Sequence, residues 1–272
     1  MDRFGFGENW EKFLENLTDE RIREAEKSLL EWLNMENLKG KRFIDIGSGS
    51  GLFSLAARNL GAEVCSFDYD INCVNCTQSL KDKYYKEDDK WHVEQGDVLN
   101  KEYLSGLGKY DIVYSWGVLH HTGNMYQALE NAGRQVADKG LLFIAIYNDQ
   151  GWESKMWKWI KKVYNAAPEL LRMLIVLSYF GVLWTVKSVK DIMKGTPFSS
   201  WRTYIQKRGM SPIIDARDWV GGYPFEVAKP EEIFDFFHAR GFQLEKFFTQ
   251  GGGMDATSLY LKRFRPVISI YK

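Results

Sequence analysis

Three glycines and two carboxylates are the residues whose spacing could support chemistry. The stretch FIDIGSGSG contains D-x-G-x-G-x-G from Asp45 to Gly51, and the later run EVCSFD ends on Asp68. Glycines in a strand-to-helix turn let the backbone approach a ligand closely, and the helix that follows directs its free N–H groups at that ligand. A carboxylate such as that of Asp68 can accept two charge-assisted hydrogen bonds from a diol. Together the two motifs indicate a nucleotide-like ligand.

The spacing of the glycines separates two kinds of nucleotide ligand. A dinucleotide fingerprint, G-x-G-x-x-G, would need its third glycine at position 52, which is Leu52. The glycine loop, the acid at Asp68, GDV at 96–98 and YSWGVLHHTG at 114–123 occur here in order. In this respect residues 40–148 resemble the class I S-adenosylmethionine-dependent methyltransferases, and the layout is similar to the branch with quinone-biosynthesis and small-molecule enzymes.

The resemblance implies S-adenosylmethionine as cofactor and S-adenosylhomocysteine as product. It implies that Asp68 holds the two ribose hydroxyls, that Asp97 and Val98 take the adenine, and that the end of the fourth strand is where the methyl group meets its acceptor. The acceptor would be a small or lipid-like molecule, methylated on O, N or C. The implied cofactor-binding residues are Asp45, Gly47, Gly49, Gly51, Asp68, Tyr69, Asp97, Val98 and Ser115.

His120 and His121 are the candidate catalytic residues. Methyl transfer needs a base only when the acceptor carries a proton to lose, and a histidine can act as one near neutral pH. The alternative is that one ring packs or forms a local hydrogen bond. Alternating geometry would direct the two side chains to opposite sides, so we expect that the two rings do not act equally.

Residues 149–225 form a predicted helical insertion after the fifth strand. It holds six of the ten tryptophans, and the segment 151–190 has seven basic residues against two acids. An aromatic lid over the acceptor suits the composition of small-molecule pockets. An extra helical layer, a homodimer interface and a peripheral membrane contact through 151–190 are the alternatives. We predict a loop at 215–226, DARDWVGGYPFE, and the predicted acceptor-binding residues are Trp116, Tyr147, Arg217, Trp219 and Tyr223.

Short apolar runs alternate with helical patterns from Lys41 onward, which is typical of an α/β fold with parallel strands and helices on both sheet faces. The resemblance implies a doubly wound, seven-stranded sheet whose last strand is antiparallel. The expected division is an N-terminal helical segment at 1–40, a cofactor-binding core at 41–148, the insertion at 149–225 and the C-terminal part of the sheet at 226–272.

Composition argues against other functions. The 36 basic and 36 acidic residues balance, and NPP[YF] does not follow the fourth strand, so we expect no nucleic-acid partner. A nucleic-acid methyltransferase and a non-catalytic domain that binds a membrane or protein stay as alternatives.

Cys73 and Cys76 lack the second pair that a structural zinc site needs, so we expect no metal. The charge-free run 173–186 is too short to span a bilayer, which favours a buried or interfacial helix. Three cysteines and no secretion signal predict a cytoplasmic location, with peripheral attachment to a membrane as the variant.

Overall fold

The computed structural model describes residues 3–208, 211–249 and 256–264. Its centre is a seven-stranded sheet in the order β3-β2-β1-β4-β5-β7-β6. Strands β1 to β5 pair in parallel, and β7 is antiparallel to both of its neighbours. The sheet and its antiparallel last strand are confirmed. The strands are β1 Arg42–Ile46, β2 Glu63–Asp68, β3 Trp91–Gln95, β4 Tyr110–Trp116, β5 Val136–Tyr147, β6 Phe242–Phe248 and β7 Ala256–Arg263.

Helices cover both faces of the sheet, and the two apolar clusters on those faces form the core. One cluster lies beneath α2 and α3, and the other lies beneath α6 and α11. Parallel strands are buried on both faces of the sheet, and their sequences therefore consist largely of Val, Ile, Leu and Phe. The helices around the sheet are α1 Gly7–Glu15, α2 Asp19–Leu33, α3 Leu52–Asn59, α4 Ile71–Tyr85, α5 Lys101–Leu107, α6 Met125–Gln135 and α11 Pro230–His238.

Local capping signals place several helix ends. Thr18 accepts a hydrogen bond from the Arg21 N–H at the start of α2, and Asp70 accepts one from the Asn72 N–H at the start of α4. Thr18 directly before Asp19, and Asp70 directly before Ile71, are positions that predict N-caps from sequence, and both predictions are confirmed. Short side-chain acceptors at these positions satisfy backbone donors that the helix itself leaves unpaired.

The fifth strand begins earlier than its apolar run suggests. The run GLLFIAIYN predicts a start at Gly140, whereas β5 begins at Val136. The additional residues belong to an irregular stretch in which Lys139 has φ +61°, and regular pairing with β4 resumes at Leu141. Helix α5 had no counterpart in the sequence reading, because its seven residues are too few to show a clear helical period.

The insertion consists of four helices with a small apolar cluster of their own. It leaves and rejoins the sheet at one place, because Asn148 and Ala228 form a β-bridge and the Ala228 N–H donates to the Tyr147 carbonyl at 3.1 Å. The segment predicted as a loop at 215–226 begins inside a helix, since Pro212 occupies its first turn and supports helical geometry there. The four helices are α7 Trp152–Ala166, α8 Glu169–Met193, α9 Ser199–Arg208 and α10 Pro212–Gly221.

Helix α8 extends well beyond the charge-free run that marks it in sequence. At 25 residues it is, among the residues described, the one helix whose length and composition would allow it to cross a membrane. Of the two predicted alternatives, a buried or an interfacial helix, the buried one is wrong, because Leu174 is 50% and Val182 is 67% exposed. One side of α8 packs on α7 and α10, while the other faces outward.

Candidate active site

The glycine loop connects β1 to α3 and forms one wall of a cavity of about 540 Å³. Gly47, Gly49 and Gly51 have φ values of +79°, +54° and +78°, which side-chain-bearing residues rarely adopt. A Cβ on Gly47 would lie 2.4 Å from Val118 Cγ1. The loop therefore needs glycine both for its conformation and for its close packing.

Asp68, at the end of β2, lies directly beside this loop in the wall of the cavity. Its Oδ2 accepts a hydrogen bond from the Gly49 N–H at 3.0 Å, and its Oδ1 accepts one from the Asp70 N–H at 3.0 Å. Burial raises its pKa to about 6, although these backbone donors favour the charged form. Two fixed N–H groups orient the carboxylate and leave further lone pairs for a ligand diol.

Asp45 lies deeper in the same cavity, at the end of β1. Ser54 Oγ donates to its carboxylate at 2.6 Å, and the side chain is 2% exposed. Burial raises its pKa to about 7, so the group holds or releases a proton near neutral pH.

The remaining predicted residues divide into those that line the cavity and those that do not. Asp97 binds Arg3 at 3.1 Å, and Ser115 Oγ donates to the Ile46 carbonyl at 2.9 Å, so both side chains are engaged elsewhere. The predicted residues that line the cavity are Asp45, Gly47, Gly49, Asp68, Tyr69, Val98, Trp116, His121 and Tyr147. The predicted residues outside its lining are Gly51, Asp97, Ser115, His120, Arg217, Trp219 and Tyr223.

The two histidines lie on a 3-10 turn, Leu119–His121, after β4. Their ring centroids are 4.4 Å apart, and both rings contact Tyr147. The expectation that they point to opposite sides is therefore wrong, because a tight turn does not alternate as a strand does. The two rings nevertheless differ in their surroundings.

His121 lines the cavity, and its Nδ1 lies 2.7 Å from the Pro224 carbonyl oxygen. A carbonyl only accepts hydrogen bonds, so Nδ1 carries the proton and Nε2 keeps its lone pair in the neutral ring. Burial lowers the pKa of His121 to about 4, against the opposing effect of the Pro224 hydrogen bond. The ring of His121 is therefore neutral over a wide pH range, with Nε2 unprotonated, and it binds a proton more weakly than an ordinary histidine.

His120 is fully buried, and neither of its ring nitrogens has a hydrogen-bond partner. Burial lowers its pKa well below the usual value, and His121 and Lys161 add to this effect. Its ring packs against Tyr147 with centroids 4.0 Å apart. His120 thus supports the ring that lines the cavity and does not itself reach it.

Helix α10 contributes two carboxylates to the lining of the cavity. Asp215 and Asp218 are three residues apart and share one face of the helix, which places both in the lining. Burial, with a smaller effect of Asp215, raises the pKa of Asp218 to about 7. Arg217 and Trp219, which were predicted for this role, lie on other faces of α10. The i, i+3 spacing of the two acids is the signal that could have identified them.

A buried lysine packs against helix α10. Lys161 is 1% exposed, donates to the Trp219 carbonyl, and has Nζ 4.5 Å and 4.9 Å from the ring centroids of Trp219 and Phe225. Burial lowers its pKa to about 7, against the attraction of Asp218. Trp219 therefore packs around Lys161 and Tyr147 and does not line the cavity.

The N-terminal segment closes the cavity from the opposite side, and sequence reasoning missed it. The Phe4 N–H donates to the Tyr223 carbonyl at 2.9 Å, and the Gly7 N–H donates to Asp70 Oδ2 at 3.1 Å. The sequence of the segment carries no local sign of this long-range packing. The lining residues of the segment are Arg3, Phe4, Phe6, Trp10 and Phe13.

The described residues contain no group of three or more His, Cys, Asp or Glu side chains that could hold a metal ion. Cys73 and Cys76 are buried free thiols on α4. Burial raises the pKa of the Cys73 thiol far above its usual value, which disfavours the thiolate that a metal would need.

The residues present fit S-adenosylmethionine. Glycine backbone without side chains borders the cavity at Gly47, where a Cβ would collide with Val118. The oriented carboxylate of Asp68 suits a ribose diol, and the buried Val98 suits an adenine ring. The cavity volume is within the range of small-molecule pockets.

Comparison with known proteins decides the family. Residues 15–180, more than half of the chain, match the model of a methyltransferase domain. The chain belongs to the methyltransferase domain family. This result confirms the predicted enzyme class, and S-adenosylmethionine is the cofactor of this family.

Individual relatives of this methyltransferase are distant. The ubiquinone biosynthesis O-methyltransferase of Glaesserella parasuis serovar 5 is 26% identical over 41% of this chain and 47% of its own length. The ribosomal protein L11 methyltransferase of Prochlorococcus marinus MIT 9301 is 33% identical over 43% of this chain and 39% of its own. The matched region thus spans less than half the length of either curated relative.

A solved structure is similar over nearly the whole methyltransferase. The magnesium protoporphyrin IX methyltransferase of Synechocystis PCC 6803, solved with bound S-adenosylhomocysteine, has a TM-score of 0.54 at 15% identity. The alignment covers 93% of each chain. At this identity the likeness concerns the fold.

Proposed function

We propose that this methyltransferase transfers a methyl group from S-adenosylmethionine to a hydroxyl or amine of a small, largely apolar acceptor. The observation that carries the proposal is His121, a neutral base with a defined free nitrogen in a cavity continuous with the glycine loop. A base is useful to an acceptor that loses a proton, which favours O- and N-methylation over transfer to an unactivated carbon.

Asp68 and the backbone of the glycine loop would hold the ribose and the amino-acid part of the cofactor, and Val98 would pack on the adenine. When bound, S-adenosylmethionine supplies an electrophilic methyl group on a positively charged sulfur. Binding aligns the acceptor oxygen or nitrogen with that methyl carbon, and most of the rate gain comes from such alignment.

His121 Nε2 would take the proton that the acceptor loses. The acceptor's O–C or N–C bond would form as the sulfur–methyl bond broke, and the methylated acceptor and S-adenosylhomocysteine would be the products. Trp116 and Tyr147 would cover the acceptor and exclude water, and Asp215 and Asp218 would bind its polar groups. The similarity to a ubiquinone biosynthesis O-methyltransferase supports an aromatic hydroxyl.

We also propose that the reaction takes place in the cytoplasm. The support is that Cys65, Cys73 and Cys76 are free thiols, as expected in a reducing compartment.

The test uses S-adenosylmethionine with a tritiated methyl group, incubated with the chain and a cell extract separated into small-molecule, lipid and protein fractions. We expect label in the small-molecule or lipid fraction, and loss of most of it with His121→Gln. Label confined to protein would overturn the proposal in favour of a protein methyltransferase, the activity in the name of the Prochlorococcus relative. Absence of label, with S-adenosylhomocysteine binding intact, would contradict catalysis itself.

A further inference from the structure

The outward side of α8 is apolar over almost its whole length. From Met173 to Val186 it carries no charged residue. A helix on the surface of a water-soluble protein normally shows charged residues on its outer face, so this face is unusual. Its exposed large apolar side chains are Leu170, Leu171, Met173, Leu174, Leu177, Val182, Val186, Val189, Ile192 and Met193.

The inward side of α8 is already occupied. Val176 and Trp184 are buried, and α8 packs along α10 and α7 in the apolar cluster of the insertion. Near its C-terminal end, Asp191 accepts hydrogen bonds from the Ser200 N–H and Oγ, each at 2.7 Å. The helix therefore cannot turn its exposed apolar face inward without giving up these contacts.

Exposed basic residues lie at the C-terminal end of this apolar face and on the neighbouring helix. Lys190 and Lys194 follow the charge-free run and are exposed. Arg172 instead donates to backbone carbonyls of α7, and Lys187 lies over the Trp184 ring. Helix α7, which packs against α8, exposes Lys155, Lys158 and Lys162 together with Trp152 and Trp159. Apolar side chains flanked by tryptophan and lysine are the composition of helices that lie in the interface of an anionic membrane.

We infer that the exposed face of α8 binds the surface of a lipid bilayer that contains anionic phospholipid, with the helix lying in the plane of the membrane. This inference concerns a surface outside the cavity and does not depend on the proposed acceptor. Leucine and valine side chains enter the region between headgroups and acyl chains, and the lysines contact lipid phosphates.

Two other occupants fit the face less well. Helix α8 is long and apolar enough to span a bilayer, but Val176 and Trp184 are buried against the rest of the insertion. Lipid could not surround the helix without the loss of these contacts. A second copy of the chain would bring two lysine-rich surfaces together, and like charges repel. Anionic lipid complements the charge instead.

The experiment is flotation of the whole chain with vesicles of phosphatidylcholine alone and of phosphatidylcholine mixed with phosphatidylglycerol. We expect binding to the mixed vesicles that weakens as salt is added. The double variant Leu174→Gln/Val182→Gln should lower the partition coefficient about tenfold or more, since both side chains lose their apolar contact with lipid. The matched control is Phe234→Gln, which removes an exposed apolar side chain from α11 and should float like the wild type.

A second variant tests the charges. In Lys190→Gln/Lys194→Gln, the ratio of binding to anionic over neutral vesicles should fall about tenfold, while weak binding to phosphatidylcholine should remain. S-adenosylhomocysteine binding, measured by calorimetry, should be unchanged in every variant and verifies folding. Failure of the wild type to float with either vesicle overturns the inference. A wild-type dimer without lipid affinity, dissociated by Leu174→Gln/Val182→Gln, also overturns it and identifies the face as a contact between copies.

Discussion

Asp68 is the residue whose sequence position, geometry and proposed role agree most closely. The end of β2 brings its carboxylate to the cavity, and two backbone N–H groups hold it there. A residue fixed in this way loses little side-chain freedom when a ligand binds, which increases the affinity that its hydrogen bonds provide.

Replacement of Asp68 by alanine should weaken S-adenosylmethionine binding by about 1.5–3 kcal/mol, because hydrogen bonds to a charged acceptor are lost. Isothermal titration calorimetry measures the change. Asp82→Asn, which alters an exposed carboxylate on α4, is the matched control and should bind as the wild type does. Equal affinity of the Asp68 and Asp82 variants would show that the ribose is held elsewhere.

The pKa of Asp68 also makes cofactor binding sensitive to pH. Because burial raises this pKa to about 6, the carboxyl takes up a proton as the pH falls through that value and loses its capacity to accept two hydrogen bonds. We expect the Kd for S-adenosylmethionine to rise between pH 7 and pH 5. The part of the dependence centred near pH 6 should disappear in Asp68→Asn, and any part that persists must come from another group in the cavity, such as Asp45 with its pKa of about 7.

His121 should matter to the rate of transfer and not to donor binding. Loss of a general base reduces turnover by about 100- to 10,000-fold, and we expect His121→Gln to show a loss in this range with an unchanged Kd for S-adenosylhomocysteine. Transfer of tritium from the labelled methyl group to the extract gives the rate. His238→Gln, an exposed histidine at the end of α11, is the control. A weakened Kd in His121→Gln would indicate that the ring supports the donor pocket instead.

At the scale of the element, the glycine loop combines an unusual backbone with a tight fit. Gly51, the N-cap residue directly before α3, has φ +78°, and a Cβ there would lie 2.8 Å from Thr77 Cα on the neighbouring helix α4. Since the contact is with backbone, no rotation of a side chain can relieve it.

Gly51→Ala should therefore lower the free energy of unfolding by about 2 kcal/mol or more, from the left-handed conformation and the collision together. Urea denaturation measures this. Gly106→Ala is the matched control, because Gly106 lies within α5 with no atom near its Cβ position, and the substitution should stabilise by about 0.5–1 kcal/mol. Similar stabilities for the two variants would contradict the tight fit.

The elements that the sequence predicted are those with local signals. Strand β1, its glycine turn and the caps at Thr18 and Asp70 each depend on a few neighbouring residues, and each is found as expected. Helix α10 was predicted as a loop because Gly221, Gly222 and Pro224 dominate its end. The directions of the histidine rings depend on a 3-10 turn that the sequence does not mark.

The N-terminal segment could not be predicted for a different reason. Its backbone bonds reach Asp70 on one side of the cavity and Tyr223 on the other, over long separations in sequence. No periodicity encodes such packing, because the partner surfaces exist only once the sheet and the insertion have formed. The glycine loop and Asp68, which line the cavity, were thus predictable from local sequence, whereas the segment that covers the cavity was not.

At the scale of the whole molecule, the insertion is a separate layer whose chain leaves and rejoins the sheet at one place. Its apolar cluster is distinct from the two clusters that cover the sheet, although Phe4 of the N-terminal segment packs on it. Both ends meet at the bridge between Asn148 and Ala228. The sheet therefore does not depend on the insertion for its own core.

We expect a chain in which a short glycine-serine linker replaces residues 150–226 to keep a cooperative unfolding transition and to bind S-adenosylhomocysteine with reduced affinity. Methyl transfer should be lost, because Asp215 and Asp218 are removed from the cavity. Circular dichroism and calorimetry provide the two measurements. Gradual, non-cooperative melting would mean that the insertion belongs to the folding unit of the sheet.

The bridge between Asn148 and Ala228 has a consequence for how such proteins diversify. The residues proposed to bind the donor precede this bridge in the chain. The carboxylates proposed to select the acceptor lie between its two ends. Descendants could exchange that stretch, and with it the molecule that receives the methyl group, while inheriting the donor half intact.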